Sequence, residues 1–171
     1  MLERALMVVV ILVGGVAVLL TAIAIGMRRR TPLAVEAVRR FSRRVVNPLQ
    51  LKTAGRPGAY AGIIRHVGRK TGRQFETPVG PFPTAEGFVI ALPYGTRSNW
   101  VKNVLAAGSA TLVTEGEAYE VDRPELVALA DVVAALPAKE QRSLRRFGVH
   151  EALRVHRRGR VDGAGAPMLE R

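Results

Sequence analysis

The residues best suited to chemistry lie in one loop, between positions 66 and 79. Gly68 and Gly72 give this loop backbone freedom, and apolar, strand-like runs at 59–64 and 87–92 lie on either side of it. The cations between and beside the two glycines are Arg69, Lys70 and Arg73. Backbone N–H groups that point into one concavity, rimmed by cations, form a site for an anion. We therefore predict that the loop holds the phosphate-bearing tail of a cofactor, with an ordinary polar hairpin loop as the alternative.

A short helix and the end of a strand supply two further features. Trp100 and Asn103 are three residues apart, so a large ring and an amide can face one pocket from a helix over 100–107. Gly95 follows a strand and would let the backbone approach a flat ligand closely. The alternatives are a core tryptophan and a solvated asparagine. His66, at the end of a strand, is predicted to be a structural histidine.

The familiar catalytic and nucleotide-binding motifs do not occur in this sequence. The sequence has no GxSxG, Walker A or GxGxxG motif. It has no cysteine, and its three histidines lack metal-binding spacing, so neither thiol chemistry nor a metal site is predicted. An enzyme of this composition relies on a bound cofactor for the difficult chemistry.

The charge balance favours an anionic partner. Lysine and arginine total 26 against 14 acidic residues, a net charge of +12, and 22 of the cations are arginines. Nucleic acid, lipid headgroups and a phosphorylated small molecule all fit such a surplus. Arginines cluster beside the apolar N-terminal run, at 28–30 and 39–44, and few aromatic residues alternate with the later ones for base stacking. Nucleic acid is therefore not predicted as a partner.

Residues 1–27 are predicted to form a transmembrane anchor. The run from Ala5 to Met27 has 23 residues without a charge, and at about 1.5 Å per residue it can cross a hydrocarbon core of roughly 30 Å. A cleaved signal peptide is the alternative, because residues 22–24 have a small-x-small pattern. Arg4 is the only cation before the run, whereas three arginines at 28–30 follow it. These arginines predict that the remaining chain lies in the cytoplasm.

Residues 28–47 are predicted to form a basic amphipathic segment. Its helix, 33–46, follows Pro32 and stops before Pro48. One arc carries Glu36, Arg39, Arg40, Arg43 and Arg44, and the other carries Val35, Val38, Phe41, Val45 and Val46. Two interpretations remain open: the helix lies on anionic lipid, or its apolar face packs on the main domain.

The main domain is predicted over 48–157, with a flexible tail over 158–171. Strands are predicted at 60–65, 75–82, 87–92, 110–114, 118–122 and 151–156, and helices at 100–107, 124–136 and 137–147. Pro78 and Pro81 in the second strand and Pro83 just after it cannot donate to a ladder, so this must be an edge or bulged strand. Short strands with one inserted helix predict a mainly β fold, a small β-barrel with helices packed outside it.

Four short motifs, taken in order, resemble the deazaflavin-dependent nitroreductase family. They are His66-x-Gly68-Arg69-Lys70-Thr71-Gly72, Thr77-Pro78-Val79, Leu92-Pro93-Tyr94-Gly95, and Trp100-x-x-Asn103 followed by 105–108. The resemblance covers residues 58–122, with weaker support to 156. It implies a split β-barrel of the FMN-binding type and the cofactor coenzyme F420.

The same resemblance implies a role for each matching residue. Gly68, Arg69, Lys70 and Thr71 would hold the phosphate and acidic tail of the cofactor. The ring system would be lined by Thr77, Pro78, Leu92, Pro93 and Gly95 and closed in by Trp100 and Asn103. The reaction would be hydride transfer from the reduced deazaflavin to a quinone or a nitro compound, and Tyr94 is the candidate proton donor.

Two departures from the family pattern leave alternatives open. The family often has a cation where this chain has Phe75, and Arg73 is expected to compensate. Members also place tyrosines late in the chain over the substrate, whereas this chain has none after Tyr119. The alternatives are an FMN-using relative and a membrane-tethered cofactor- or quinone-binding module without turnover, and the oligomeric state is left open.

Overall fold

The sheet dominates the structure. A computed structural model describes residues 21–29 and 31–161. Its seven strands are β1 (Gly62–Val67), β2 (Gln74–Val79), β3 (Pro81–Pro83), β4 (Gly87–Ala91), β5 (Ser109–Thr114), β6 (Glu117–Ala128) and β7 (Glu151–Val161). Every pairing between neighbours is antiparallel, and the strand order is β2-β1-β5-β6-β7-β4-β3. The architecture is mixed α/β, an antiparallel sheet with flanking helices, and agrees with the predicted class to that extent.

The order of the strands requires the sheet to curl. β2 and β3 form its two opposite edges, yet Gly80 alone connects them. The edges must therefore lie within about 7 Å at this point, the span of two peptide units. The backbone of Gly62 packs tightly against this junction, since a Cβ there would lie 2.8 Å from the Val113 carbonyl oxygen and 2.9 Å from Pro81. The result is a curled half-barrel, consistent with a split barrel, and Pro78 lies in an edge strand as predicted.

One predicted helix is wrong over its first part, 124–128, whereas 129–135 is helical. We expected 124–136 to be helical because proline favours the first helical turn, but β6 continues to Ala128 against β7. The register shifts between Asp122 and Glu125, and Arg123 has a left-handed φ of 47°. A proline is tolerated in a sheet at such a bulge, where no ladder N–H is needed. β7 likewise extends to Val161, beyond the predicted strand and domain ends.

The helices lie around this sheet. Residues 21–28 are helical, and a longer helix follows as α1 (Pro32–Phe41), a π-helical segment (Ser42–Val46) and α2 (Asn47–Leu51). The remaining helices are α3 (Asn99–Ala107), α4 (Leu129–Val132), a 3₁₀ turn (Val133–Ala135) and α5 (Ala138–Arg146). In α3, Val101 and Val104 are fully buried in the main core with strand residues such as Ile64, Leu112 and Leu153. This packing fixes α3 against the inner face of the curled sheet.

The basic segment differs from the prediction in two respects. The helix does not stop before Pro48 but continues to Leu51, because the preceding π-helical turn, in which the Asn47 N–H bonds the Ser42 carbonyl, removes the usual α-helical conflict. The wider turn also divides the predicted apolar arc. Ser42 is buried against the domain, whereas Phe41 and Val45 are exposed.

The predicted anchor falls mostly outside the described residues. Only positions 21–27 of that run are described, and they are helical. Within 21–29 and 31–161, no helix is both long enough and apolar enough to cross a membrane. The anchor and the cytoplasmic placement therefore stay predictions. Of the predicted tail, 158–161 belongs to β7, and 162–171 lies outside the described part.

Candidate functional site

The cation loop, residues 68–73, is a tight turn between β1 and β2. The Gly68 N–H donates to the Arg73 carbonyl at 2.7 Å, and the Gly72 N–H donates to the Gly68 carbonyl at 2.8 Å. Gly72 has a left-handed φ of 65°. A Cβ on Gly68 would lie 2.7 Å from the Phe75 ring. Both glycines are therefore needed for the turn to close.

The turn uses its own backbone donors, which corrects the predicted anion nest. Along the loop, the N–H groups of Gly68, Arg69, Thr71, Gly72 and Arg73 all donate within the protein. Within the loop, the Lys70 N–H alone has no acceptor among the described residues. The side chains of Arg69, Lys70 and Arg73 are exposed, however. Recognition of an anion here would rest on these cationic side chains rather than on a cradle of amides.

A chain of hydrogen bonds connects the loop to the inside of the barrel. The Arg69 guanidinium donates to Asn103 Oδ1 at 2.8 Å, and the Arg69 backbone N–H donates to the same oxygen at 3.3 Å. Asn103 Nδ2 lies 3.2 Å from His66 Nδ1, and His66 Nε2 lies 3.2 Å from Thr77 Oγ1. Asn103 and His66 are each only 6% exposed. We call these four residues the polar chain.

Local structure explains how the polar chain assembles. His66 and Ile64 alternate along β1 onto the inner face, where α3 packs and presents Asn103. β2 pairs with β1 so that Thr77 and Phe75 lie opposite Ile64 and His66. Phe75 stacks on the His66 ring with centroids 5.8 Å apart. The sequence analysis identified Arg69, Asn103 and Thr77 separately, but not the histidine that joins them.

Burial keeps His66 neutral. Removal of the ring from water lowers the pKa of His66 from its usual 6.5 to about 4. The ring is therefore uncharged at neutral pH, with one protonated nitrogen. The prediction of a structural histidine agrees with its satisfied hydrogen bonds, and the same bonds place it between two predicted binding residues.

Most of the other predicted residues lie at or just before the N-terminal end of α3. Leu92 is buried, Pro93 is exposed, and the Gly95 N–H donates back to the Leu92 carbonyl at 2.9 Å. Trp100 is partly buried and packs against the main core. Asn103 is about one helical turn away, so both predicted groups flank the same helix. Pro78 is partly exposed on β2, and Thr71 lies exposed in the turn.

Tyr94 has a partner that sequence reasoning missed. Its hydroxyl lies 2.6 Å from the hydroxyl of buried Ser42, in the π-helical segment. The two residues are 52 positions apart, so no local sequence signal predicts the contact. The contact ties the basic helix directly to the predicted proton donor.

A cavity of about 310 Å³ opens next to the polar chain. β1 and β5 pair only as far as Arg65 and Thr111 and separate beyond that point. The cavity is lined by Arg65, His66, Val67, Gln74, Ala107, Ser109, Ala110, Thr111, Glu120, Val121 and Arg158. The loop cations and Trp100 do not line it. Of the four residues of the polar chain, only His66 lines this cavity.

Fold and site together define a curled antiparallel half-barrel with a cationic turn joined to a buried polar chain. No protein-family model and no curated protein matches the chain. Among solved structures, one titled F420 Reductase aligns with a TM-score of 0.43 and 11% sequence identity, over 64% of this chain and 94% of that chain. A likeness this distant carries no argument about activity, which is argued below from the site.

Proposed function

We propose that the protein is an oxidoreductase that transfers a hydride from reduced coenzyme F420 to a quinone or nitro-compound acceptor. The observation that carries the proposal is the exposed trio of cations on a rigid turn, fixed through Arg69 and Asn103 to the helix that also positions Trp100. Cations held in place suit a tail that bears phosphate and carboxylates. The order of the four motifs supports the same cofactor.

The residues have separate tasks in this reaction. Arg69, Lys70 and Arg73 would hold the anionic tail, while Thr77, Pro78, Leu92, Pro93 and Gly95 would line the ring. When bound, the reduced cofactor supplies a hydride. A quinone that accepts the hydride needs one proton to become a hydroquinone. A nitro group that accepts the hydride and one proton becomes a nitroso group and releases water. Tyr94, whose hydroxyl bonds Ser42, would deliver a proton.

Titration of the full-length protein, in detergent, with reduced coenzyme F420 tests the proposal. We expect binding at micromolar cofactor, and recovery of the oxidised cofactor's fluorescence when a menaquinone analogue is added. If the protein binds the reduced cofactor but neither a quinone nor a nitro compound oxidises it, the result would instead favour the module without turnover. A parallel titration with FMN tests whether the protein binds that alternative cofactor. Absence of binding to the deazaflavin contradicts the proposal.

The exposed side of the basic helix supports a second partner, an anionic lipid surface. Arg39 and Arg40 share the single carboxylate of Glu36, so this side of the helix keeps a positive surplus, and within the described residues Arg43 and Arg44 form no ion pair. Exposed apolar side chains accompany these two arginines, namely Phe41, Val45 and Leu49. Cations beside apolar side chains match the boundary between headgroups and acyl chains. We therefore propose that this helix lies on anionic membrane.

Vesicle binding tests this surface separately from any anchor. In a chain that lacks residues 1–20, Arg43→Gln with Arg44→Gln should weaken binding to phosphatidylserine-rich vesicles about tenfold to thirtyfold, since each cation near such a surface contributes about 1 kcal/mol. Lys139→Gln with Arg142→Gln, on α5, removes the same charge and serves as the control. Equal losses in the two double variants would mean that only net charge matters and would contradict a specific lipid face.

A further inference from the structure

The direction of the polar chain follows from its donors. Arg69 presents two N–H donors to Asn103, so the amide oxygen must face Arg69 and the amide nitrogen must face His66. An amide nitrogen only donates, so His66 Nδ1 must accept. A neutral imidazole then carries its proton on Nε2, and this N–H donates to Thr77 Oγ1. Every bond in the chain therefore runs from the loop towards Thr77.

Thr77 is the open end of this chain. Its hydroxyl accepts the His66 N–H and retains one proton of its own. Among the described residues, that proton has no acceptor. The side chain is only partly buried and lies in edge strand β2, so a ligand can reach it. Thr77 is thus set to donate to whatever lies against it.

We propose that Asn103 and His66 are positioning residues that fix the Thr77 hydroxyl as a hydrogen-bond donor to an acceptor atom of the planar ring system of the cofactor. The inference rests on the proposed function for the identity of that ring. It assigns Asn103 a task different from direct contact, since Asn103 is buried and its bonds go to Arg69 and His66. A flavin-type ring edge carries carbonyl and imine acceptors, which suit a fixed donor.

Nitrogen NMR tests the direction without any ligand. In the full-length protein at pH 7, ¹⁵N shifts of His66 should show a protonated Nε2 and an unprotonated Nδ1. Asn103→Asp has nearly the same shape but places a carboxylate against Nδ1, so that nitrogen should gain a proton. A merely structural role for Asn103 does not predict this change. Protonated Nδ1 in the unsubstituted protein would overturn the inference.

Binding of a truncated form of the cofactor tests what the polar chain does. The probe is the deazaflavin riboside, which lacks the phosphate-bearing tail and so avoids the loop cations. Thr77→Val should weaken its binding about fivefold to tenfold, the usual loss for one hydrogen bond, whereas Thr77→Ser should bind as the unsubstituted protein does. His66→Phe should weaken binding about threefold alone and add nothing in the Thr77→Val background.

The outcomes separate this inference from the proposed function. If the unsubstituted protein binds the riboside and Thr77→Val binds it equally well, the inference is overturned while the proposed function stands. If the unsubstituted protein binds neither the riboside nor intact coenzyme F420, the proposed function fails and the ring partner of Thr77 fails with it. Should His66→Phe not fold, His66→Gln replaces it; this side chain retains an N–H near the Nε2 position and should preserve binding.

Discussion

Replacing Arg69 and Lys70 together by alanine is expected to weaken binding of coenzyme F420 by at least about a hundredfold, because each charge-assisted hydrogen bond to an anion contributes roughly 1.5–3 kcal/mol. The expectation is stronger here than for a loop with an amide cradle. The turn's backbone donors are almost all used internally, so little remains to hold the tail once the two side chains are lost. Fluorescence titration of the full-length protein measures the change.

Folding should suffer much less from this double substitution. Both side chains are exposed, and the one lost bond of note, from the Arg69 guanidinium to Asn103, is worth about 1 kcal/mol. Lys139→Ala with Arg142→Ala removes the same charge from α5 and should leave cofactor affinity nearly unchanged. Binding of the tailless riboside should also be little affected. Unchanged affinity for the intact cofactor would show that the loop assignment is wrong.

The free energy of unfolding should fall by about 2 kcal/mol between pH 7 and pH 4.5 on account of His66 alone. Its pKa in the folded protein is about 4, below the 6.5 expected when the chain is unfolded. In this interval the unfolded chain binds a proton that the folded protein does not, so acid favours unfolding. The stabilising contribution is complete above about pH 6.5 and is lost as the pH falls towards 4.

Denaturant unfolding of the full-length protein and of His66→Gln isolates this effect. Glutamine does not titrate, so the variant should lack that part of the acid sensitivity, while carboxyl groups elsewhere contribute equally to both proteins. The difference between the two pH dependences is therefore the contribution of His66. Parallel curves for the two proteins would mean that the histidine is accessible to protons in the folded state.

The strands were predictable where local pattern determines them, and the errors have physical causes. Apolar runs located β1 and β4, and the prolines correctly predicted an edge for β2. Pro124 was misread because a proline that opens a helix and one that sits in a β-bulge look alike without knowledge of Arg123's left-handed backbone. Gly80 divided one predicted strand into β2 and β3, since the chain passes there between opposite edges of the curled sheet.

The site was predictable residue by residue but not as an arrangement. Spacing identified the cations and Asn103, and the motif resemblance identified Thr77. The contacts among positions 66, 77 and 103 depend on strand pairing and on the packing of α3, which no short window of sequence contains. The alternation that places His66 on the same face as Ile64 was the one available signal for its burial.

The contact between the hydroxyls of Ser42 and Tyr94 affects how far an electron acceptor would have to travel. This contact holds the helix against the domain, because the tyrosine stays within one side-chain length of it. The exposed side of the same helix would face a lipid surface, so Tyr94 would lie about one helix diameter, roughly 10 Å, from it. An oily acceptor dissolved in that surface could be reduced where it resides, without an excursion through bulk water.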